Sequence, residues 1–377
     1  MSFETAVSFD LLSKSAKLLA SNLFKIPLSK LQNITQESKV KDVSEWFESE
    51  SLVLVLGAGA SASYGLPDWN LLLQKLLLIS LKSDNDTTKD EIDEKSGVLA
   101  KTFSRVFEPN SLVTARYLHN HFKEKHPRSK IAFETAIRDA LYSGVNIDDE
   151  SDLMKEIRKL CVAAGRRPNL DSIITYNYDD ILERCLKNIE VDIPFKSIHA
   201  SGMKSEKNEL AIYHVHGYLP STGKLTTKNK VVLSEDGYHQ QYSDVYGWSN
   251  LIQINKFKDY NCVFIGLSFS DPNLRRLLDI SKNERGDNEI HHYCIKKRFD
   301  QDDVEKKLKK LLSENNEILE DKMRAELDLP EFSNELVNLM EKFEENDALS
   351  FGVGIIWVAS YEDIPDVLNK VRTKSAL

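Results

Sequence analysis

Three short polar segments follow apolar runs and carry side chains able to bind or activate a small molecule: ITYNYDD at 174–180, HVHG at 214–217 and IGLSFSDPN at 265–273. Asn177 offers an amide that hydrogen-bonds hydroxyls and can hold a water. Asp179 is an acceptor for an amide N–H. His216 carries a ring whose ordinary pKa lies near neutrality, which suits it to take a proton. Each also has a plain structural reading: Asn177 as a turn residue, Asp179 as a helix cap, His216 as a structural strand-end histidine. A fourth segment, LVLVLGAGAS at 52–61, is an apolar run that empties into a glycine-rich turn. Gly57 and Gly59 permit backbone angles and close approach that a side chain forbids, while Ala58, Ala60 and Ser61 stay small. A helix beginning there would aim free N–H groups at an anion, as turns that hold a dinucleotide pyrophosphate do. The same GxG also serves as a tight connection with no ligand.

The elements that must position these residues follow from periodicity. Leu52 to Leu56 are too few for a free-standing helix and are stopped by Gly57, so they read as a buried strand of a parallel sheet. Strand-like runs return at 172–175, 211–215, 231–234, 261–267, 290–295 and 352–360, with helical patterns between most of them. This alternation predicts an α/β fold with a doubly wound, mostly parallel, Rossmann-like sheet. Each polar segment then sits at the C-terminal end of a strand, where open α/β sheets collect ligands. Asp68 is expected to cap a helix through Leu71, Leu72, Leu76 and Ile79. Asp271 is expected to cap another, with Pro272 in its first turn and Leu274, Leu277 and Leu278 on one face. Helices are also expected within 1–50, ahead of a main domain over 51–377 that carries a helical insertion at 98–165 and a helical hairpin at 302–348. The polar stretch at 83–97 reads as an exposed loop.

Composition narrows the class. The chain has 377 residues, 41% hydrophobic and 29% charged, long enough for one large α/β domain with a helical annex. The N-terminus does not read as a signal peptide, and the leucine-rich stretch at 71–81 is interrupted by Gln74 and Lys75, so a cytoplasmic protein without membrane contact is expected. Cys161, Cys185, Cys262 and Cys294 never form CxxC, which points to buried thiols rather than a zinc ribbon or a disulfide framework. A net charge of −9 argues against a protein that coats nucleic acid.

Taken together, GAGAS, GLPDW, TYNYD, HG and GLSFSDPN occur in an order and spacing, over roughly 50–280, that resembles the sirtuin family of NAD-consuming enzymes. The resemblance implies a pyrophosphate role for Gly57, Ala58, Gly59 and Ser61. It matches Pro67, Asp68 and Trp69 to the segment after the glycine turn, Asn177, Tyr178 and Asp179 to the groups beside the nicotinamide ribose and carboxamide, and His216 to the family histidine. Gly266 and Ser268 match the adenosine-side turn. On this reading Asn177 and His216 are catalytic, NAD is the substrate, and no metal takes part.

The departures are informative. The four-cysteine zinc module of protein-deacylating sirtuins has no counterpart between Asp179 and Gly266. Tyr176 stands where sirtuins usually have Gln, and Asn70 where they have Arg. The chain is more similar to a zinc-free prokaryotic branch of NAD-hydrolysing effectors in antiviral defence, in which water replaces the acyl-lysine. That likeness implies nicotinamide and ADP-ribose as products, self-assembly into an oligomer, and as one partner a hexameric DNA-translocating ATPase of the HerA type. Two alternatives stay open: an NAD-dependent protein deacylase, and a subunit that binds NAD or ADP-ribose without consuming it. A redox dehydrogenase fits less well, because the third glycine and the acidic residue closing the second strand are missing.

Overall fold

The protein is described by a computed structural model over residues 35–81, 102, 110–146, 150–162, 169–187, 193–286, 289–314 and 328–373. Strands β1 (Leu52–Leu56), β2 (Leu170–Thr175), β3 (Phe195–Ile198), β4 (Leu210–His214), β5 (Asn261–Ile265), β6 (His292–Lys297) and β7 (Val353–Val358) form one seven-stranded sheet in the order β3-β4-β2-β1-β5-β6-β7. Every pairing is parallel, so the expected doubly wound α/β fold is observed. The helices in chain order are α1 (Gln36–Glu48), α2 (Trp69–Leu81), α3 (Ser111–Lys125), α4 (Ala132–Tyr142), α5 (Asp152–Cys161), α6 (Ile181–Lys187), α7 (Glu235–Ser243), α8 (Trp248–Asp259), α9 (Pro272–Arg285), α10 (Gln301–Glu314), α11 (Leu329–Ser350) and α12 (Ile364–Thr373).

The strand period of two explains why β1 is apolar throughout. Leu52, Leu54 and Leu56 pack with Val40, Phe47, Ile157 and Leu368 from α1, α5 and α12 on one face. Val53 and Val55 pack on the other with Phe257, Leu274 and Leu277 from α8 and α9. A third cluster joins α2, α3 and α4 through Leu72, Leu76, Leu118, Phe133 and Ile137, and reaches Tyr178 and Leu219 just beyond β2 and β4. The helices that follow the glycine turn therefore lie over the C-terminal edge of the sheet. Asp68 accepts from the Leu71 N–H at 2.8 Å and Asp271 from the Leu274 N–H at 2.7 Å, so both act as helix caps as their spacing implied. The four cysteines are buried and unbridged.

Three local expectations are corrected. VVLS at 231–234 forms no strand. Gly217, at φ 111°, turns the chain after β4, and the returning segment crosses the sheet end: the Val232 N–H donates to the His216 carbonyl at 2.8 Å, and Leu233 is buried in the α2–α4 cluster. The sheet edge beside β4 belongs instead to β3, whose Phe195, Lys196 and Ser197 are only partly buried or exposed, so it lacks an apolar signature. Nor does an α-helix begin in GAGAS. Two 3₁₀ turns, Ala58–Ala60 and Ala62–Tyr64, precede α2. The helices expected before residue 35 and the loop at 83–97 lie outside the described residues, as does the link at 315–327 between α10 and α11, which pack against each other.

The glycines of the turn are required for a reason other than backbone angle. Gly57 has an ordinary extended φ of −122°. A Cβ there would fall 2.6 Å from the Gly266 carbonyl oxygen, and one on Gly59 would fall 2.7 Å from Gly266 Cα. Gly266 itself, at φ 70°, would place a Cβ 2.5 Å from Ala60 N. The ends of β1 and β5 thus touch backbone to backbone, joined by Gly57 N–H to the Ile265 carbonyl (2.9 Å) and Gly59 N–H to the Gly266 carbonyl (3.0 Å). Gly286 has a similar φ of 73° but open space at its Cβ position. Gly286→Ala should cost only the left-handed penalty of about 1–2 kcal/mol. Gly266→Ala must also displace the turn, so urea unfolding should show a loss of roughly 3 kcal/mol or more.

Candidate functional site

Register places the site. Leu56 pairs with Thr175 and with Ile265, and Thr175 pairs with His214, so β1, β2, β4 and β5 end at one level. The chain reverses its winding at β1, with β2 on one side and β5 on the other, and a cavity of about 460 Å³ opens there. A crevice at such a switch point is the general ligand position in these sheets. Ten of the sequence-derived candidates line it: Ala58, Ser61, Pro67, Trp69, Asn177, Tyr178, Asp179, His216, Gly266 and Ser268. Gly57 and Gly59 lie beneath, in the β1–β5 contact, and Asp68 is turned to its capping bond.

The glycine turn spends most of its donors on itself. The N–H groups of Gly57, Gly59, Ala60 and Ser61 all bond backbone carbonyls. Among the described residues, that of Ala58 bonds none, so it is the turn's available donor for an anion. Facing it, Ser268 and Ser270 are exposed, with hydroxyls 2.6 Å apart. The intervening Phe269 has a left-handed φ of 60° and is buried edge-on against Phe264, which fixes the loop.

A buried chain of polar groups runs from the turn to the β2 end. The Asn177 amide donates to the Gly57 carbonyl at 3.0 Å and to Ser61 Oγ at 3.2 Å. A carbonyl can only accept, which fixes the amide orientation and turns its oxygen away from the Gly57 carbonyl. The Ser61 hydroxyl donates to Asp179 Oδ1 at 3.2 Å, and the same oxygen accepts the Ile181 N–H at 3.1 Å, capping α6. Burial pushes the Asp179 carboxyl up to about 6, with nearby Glu183 adding to the rise and the Ile181 and Ser61 bonds opposing it. Beneath Asn177, His214 bridges its carbonyl (Nδ1, 3.2 Å) and Glu183 Oε1 (Nε2, 2.6 Å), both side chains being almost fully buried. Burial works to raise the Glu183 carboxyl, but His214 and the Ser197 hydroxyl bond carry it below its ordinary value. The helical insertion is tied in by Tyr142, whose hydroxyl donates to Asp180 Oδ1 at 2.9 Å and accepts the Asp180 N–H at 3.0 Å.

His216 occupies the opposite wall. Its ring is 4% exposed and stands edge-on to Tyr176, with centroids 4.6 Å apart, and to Tyr238, at 5.8 Å. Its Nε2 is buried without a hydrogen bond among the described residues, 3.7 Å from Asp271 Oδ2. Burial lowers its pKa, and Asp271 only partly offsets this, so the ring is neutral near pH 7 and free to accept a proton. Asp271, Tyr238 and Phe269 are among the lining residues that sequence reasoning missed as site groups: Asp271 showed itself only as a helix cap, and nothing local marks Tyr238 or Phe269. The lining holds the Asp179 and Asp271 carboxylates but neither Lys nor Arg, which suits it to a cationic ring at that end. Among the described residues no three His, Cys, Asp or Glu side chains converge as a metal site, and no helix is long and apolar enough to cross a membrane.

The comparisons agree with the sequence resemblance. Residues 171–319 match the family described as a SIR2-like domain, a span that contains TYNYD, HVHG and GLSFSDPN but not GAGAS. The NAD(+) hydrolase ThsA of Enterococcus faecium is 23% identical over 336 residues, which is 89% of this chain and 58% of that protein. The NAD(+) hydrolase ThsA of Acinetobacter baumannii is 21% identical over 341 residues, or 90% of this chain and 56% of its own length. This chain therefore spans somewhat more than half the length of these curated relatives.

The buried Asp179 carboxyl generates a pH prediction. Its folded pKa is raised from 3.8 to about 6, so the stability it contributes is complete below about 4 and lost as pH rises through 6. The span amounts to about 3 kcal/mol. Asp179→Asn keeps an oxygen for the Ile181 and Ser61 bonds while removing that loss. It should therefore be more stable than wild type at pH 7.5 and show no such gain at pH 4, as read by urea unfolding at both values.

Proposed function

We propose that this chain cleaves the N-glycosidic bond of NAD with water, releasing nicotinamide and ADP-ribose, and that it acts as the NAD-depleting effector of an antiphage defence system. The observation that carries the reading is the pairing, across one crevice, of a pinned Asn177 amide with a buried, neutral His216 whose Nε2 has no hydrogen-bond partner among the described residues. The resemblance to sirtuins and the names of the relatives support NAD as the molecule cleaved.

The chemistry asks for little more than these groups supply. Nicotinamide leaves a cationic ring as a neutral molecule, and the positive charge passes to an oxocarbenium-like ribose. The Asp179 carboxylate suits both the ring and the ribose cation, and its ionised form is favoured once a cation lies beside it. The Asn177 amide oxygen holds a ribose hydroxyl or the attacking water in this reading. His216 then takes the proton that the hydroxyl or water gives up. The Ala58 N–H and the Ser268 side are where the pyrophosphate rests, with Gly57 and Gly59 keeping the floor thin and Ser61 holding Asn177. Trp69 borders the crevice with an indole N–H that has no partner among the described residues, a further donor for the ligand.

Activity held in check fits a defence effector, and we assign that control to self-association or to a second protein such as a HerA-type ATPase, with the helical insertion and the α10–α11 hairpin as contact surfaces in a cytoplasmic complex. No metal is required by this scheme.

Incubation of the purified chain with NAD, alone and with the product of the adjacent gene, and chromatography of released nicotinamide test the reading. Asn177→Ala and His216→Ala should each lower the rate by at least about 100-fold at a temperature where circular dichroism shows both variants folded. Because burial lowers the His216 pKa, the rate should hold below pH 6.5 and fall only at more acidic pH. Release by His216→Ala equal to wild type, or none from wild type in either condition, contradicts the proposal.

A further inference from the structure

The β5–α9 loop offers a carboxylate whose arrangement exceeds what a helix cap needs. Asp271 Oδ1 accepts the Leu274 N–H at 2.7 Å, which is the whole of the capping function. Its second oxygen is held separately: the Tyr238 hydroxyl, from α7, donates to Oδ2 at 2.6 Å. That same oxygen lies 3.7 Å from His216 Nε2. Burial keeps the Tyr238 phenol protonated, its pKa raised further by Asp271, so it remains a donor across the working pH range. Tyr238 also stacks edge-on to the His216 ring that Asp271 faces. One tyrosine thus fixes both the carboxylate and the plane of the imidazole.

We propose that Asp271, held by Tyr238, is a positioning residue for His216, orienting the imidazole and stabilising the imidazolium that forms when it accepts a proton. The inference rests on the hydrolytic reading above. As the ribose hydroxyl or water O–H bond breaks and an N–H bond forms on His216, a positive charge appears in a site that is otherwise desolvated. Tyr176 and Tyr238 flank the ring as neutral phenols. On its other side a second cavity of about 660 Å³ places Lys230, His199 and Asp236 on the lining it shares with His216. Asp271 is the carboxylate within ion-pair reach of the ring nitrogen. At 3.7 Å the contact is longer than a hydrogen bond, and catalytic contacts of this kind commonly tighten once substrate is bound.

Asp271→Asn separates this role from capping, because Asn caps helices as well as Asp does while carrying no charge. The variant should keep the wild-type melting temperature and an NAD KM within about two-fold, and lose kcat by on the order of 100-fold. Loss of the carboxylate removes the group that raises the His216 pKa, so the acid limb of kcat should move to lower pH. Tyr238→Phe should change kcat and the limb in the same direction by a smaller amount. Independently of turnover, NMR titration of the His216 ring, assigned against His216→Gln, should show a lower pKa in Asp271→Asn. An unmoved titration, or a wild-type kcat and acid limb in Asp271→Asn, overturns the inference whatever happens to stability. Absence of nicotinamide release from the wild-type protein contradicts the underlying function instead, and the titration still decides the coupling.

Discussion

The structure depends on the place where the ends of β1 and β5 meet without side chains between them. Gly57, Gly59 and Gly266 bring two backbones into direct contact at the point where the winding of the sheet reverses. Because the connections that leave the parallel strands β1 and β5 run to opposite sides of that point, toward β2 and toward β6, the crevice above it is left open, and its floor is only a backbone thick. A methyl group at any of the three positions collides with the opposite chain, so the glycines are set by this approach more than by their torsion angles. The Asn177 amide then bonds the Gly57 carbonyl, which ties the β2 end to the same contact.

From that contact outward the site is a balance of burial against polar satisfaction. Asp179 is held in the interior at the expense of a raised pKa, and His216 at that of a lowered one, which leaves an acid and a base each poised closer to neutrality or to the uncharged form than in water. Beneath them the His214–Glu183 pair is nearly solvent-free and anchors the carbonyl of Asn177. Removing one partner of such a pair typically costs about 3–5 kcal/mol, so its presence beneath the β2 end makes the position of Asn177 stiff. The helical cluster of α2, α3 and α4 covers the crevice and reaches it through Tyr142 at Asp180. Movement of that cluster would be felt at the edge of the crevice.

Much of this was legible in the sequence, and the reasons for success and failure differ by element. LVLVL, SIIT, AIYHV and NCVFI announced themselves as strands because both faces of the sheet are covered, which demands unbroken apolar runs. Asp68 and Asp271 announced two helices because capping is local chemistry. The edge strand β3 was silent, since Phe195–Ile198 is half-exposed and includes Lys196 and Ser197. VVLS misled because its apolar residues serve a crossing segment pressed into the helical cluster, and burial alone does not distinguish that from a strand. At the site, residues following strands could be gathered from their positions, whereas Tyr238 comes from a helix remote in sequence and Phe269 is defined by a left-handed backbone that no composition rule requires. The role of Asp271 was hidden by its success as a cap.

The central claim is that water, rather than an acylated lysine, receives the ribose of NAD in this crevice. Proton NMR of NAD incubated with the purified chain and its adjacent gene product, followed in time without peptide and then with an acetyl-lysine peptide, tests it most directly. The account predicts free nicotinamide and ADP-ribose appearing in equal amounts without peptide, at a rate the peptide does not change. NAD that stays intact until the peptide is added, and then yields an acetylated ADP-ribose, would contradict it.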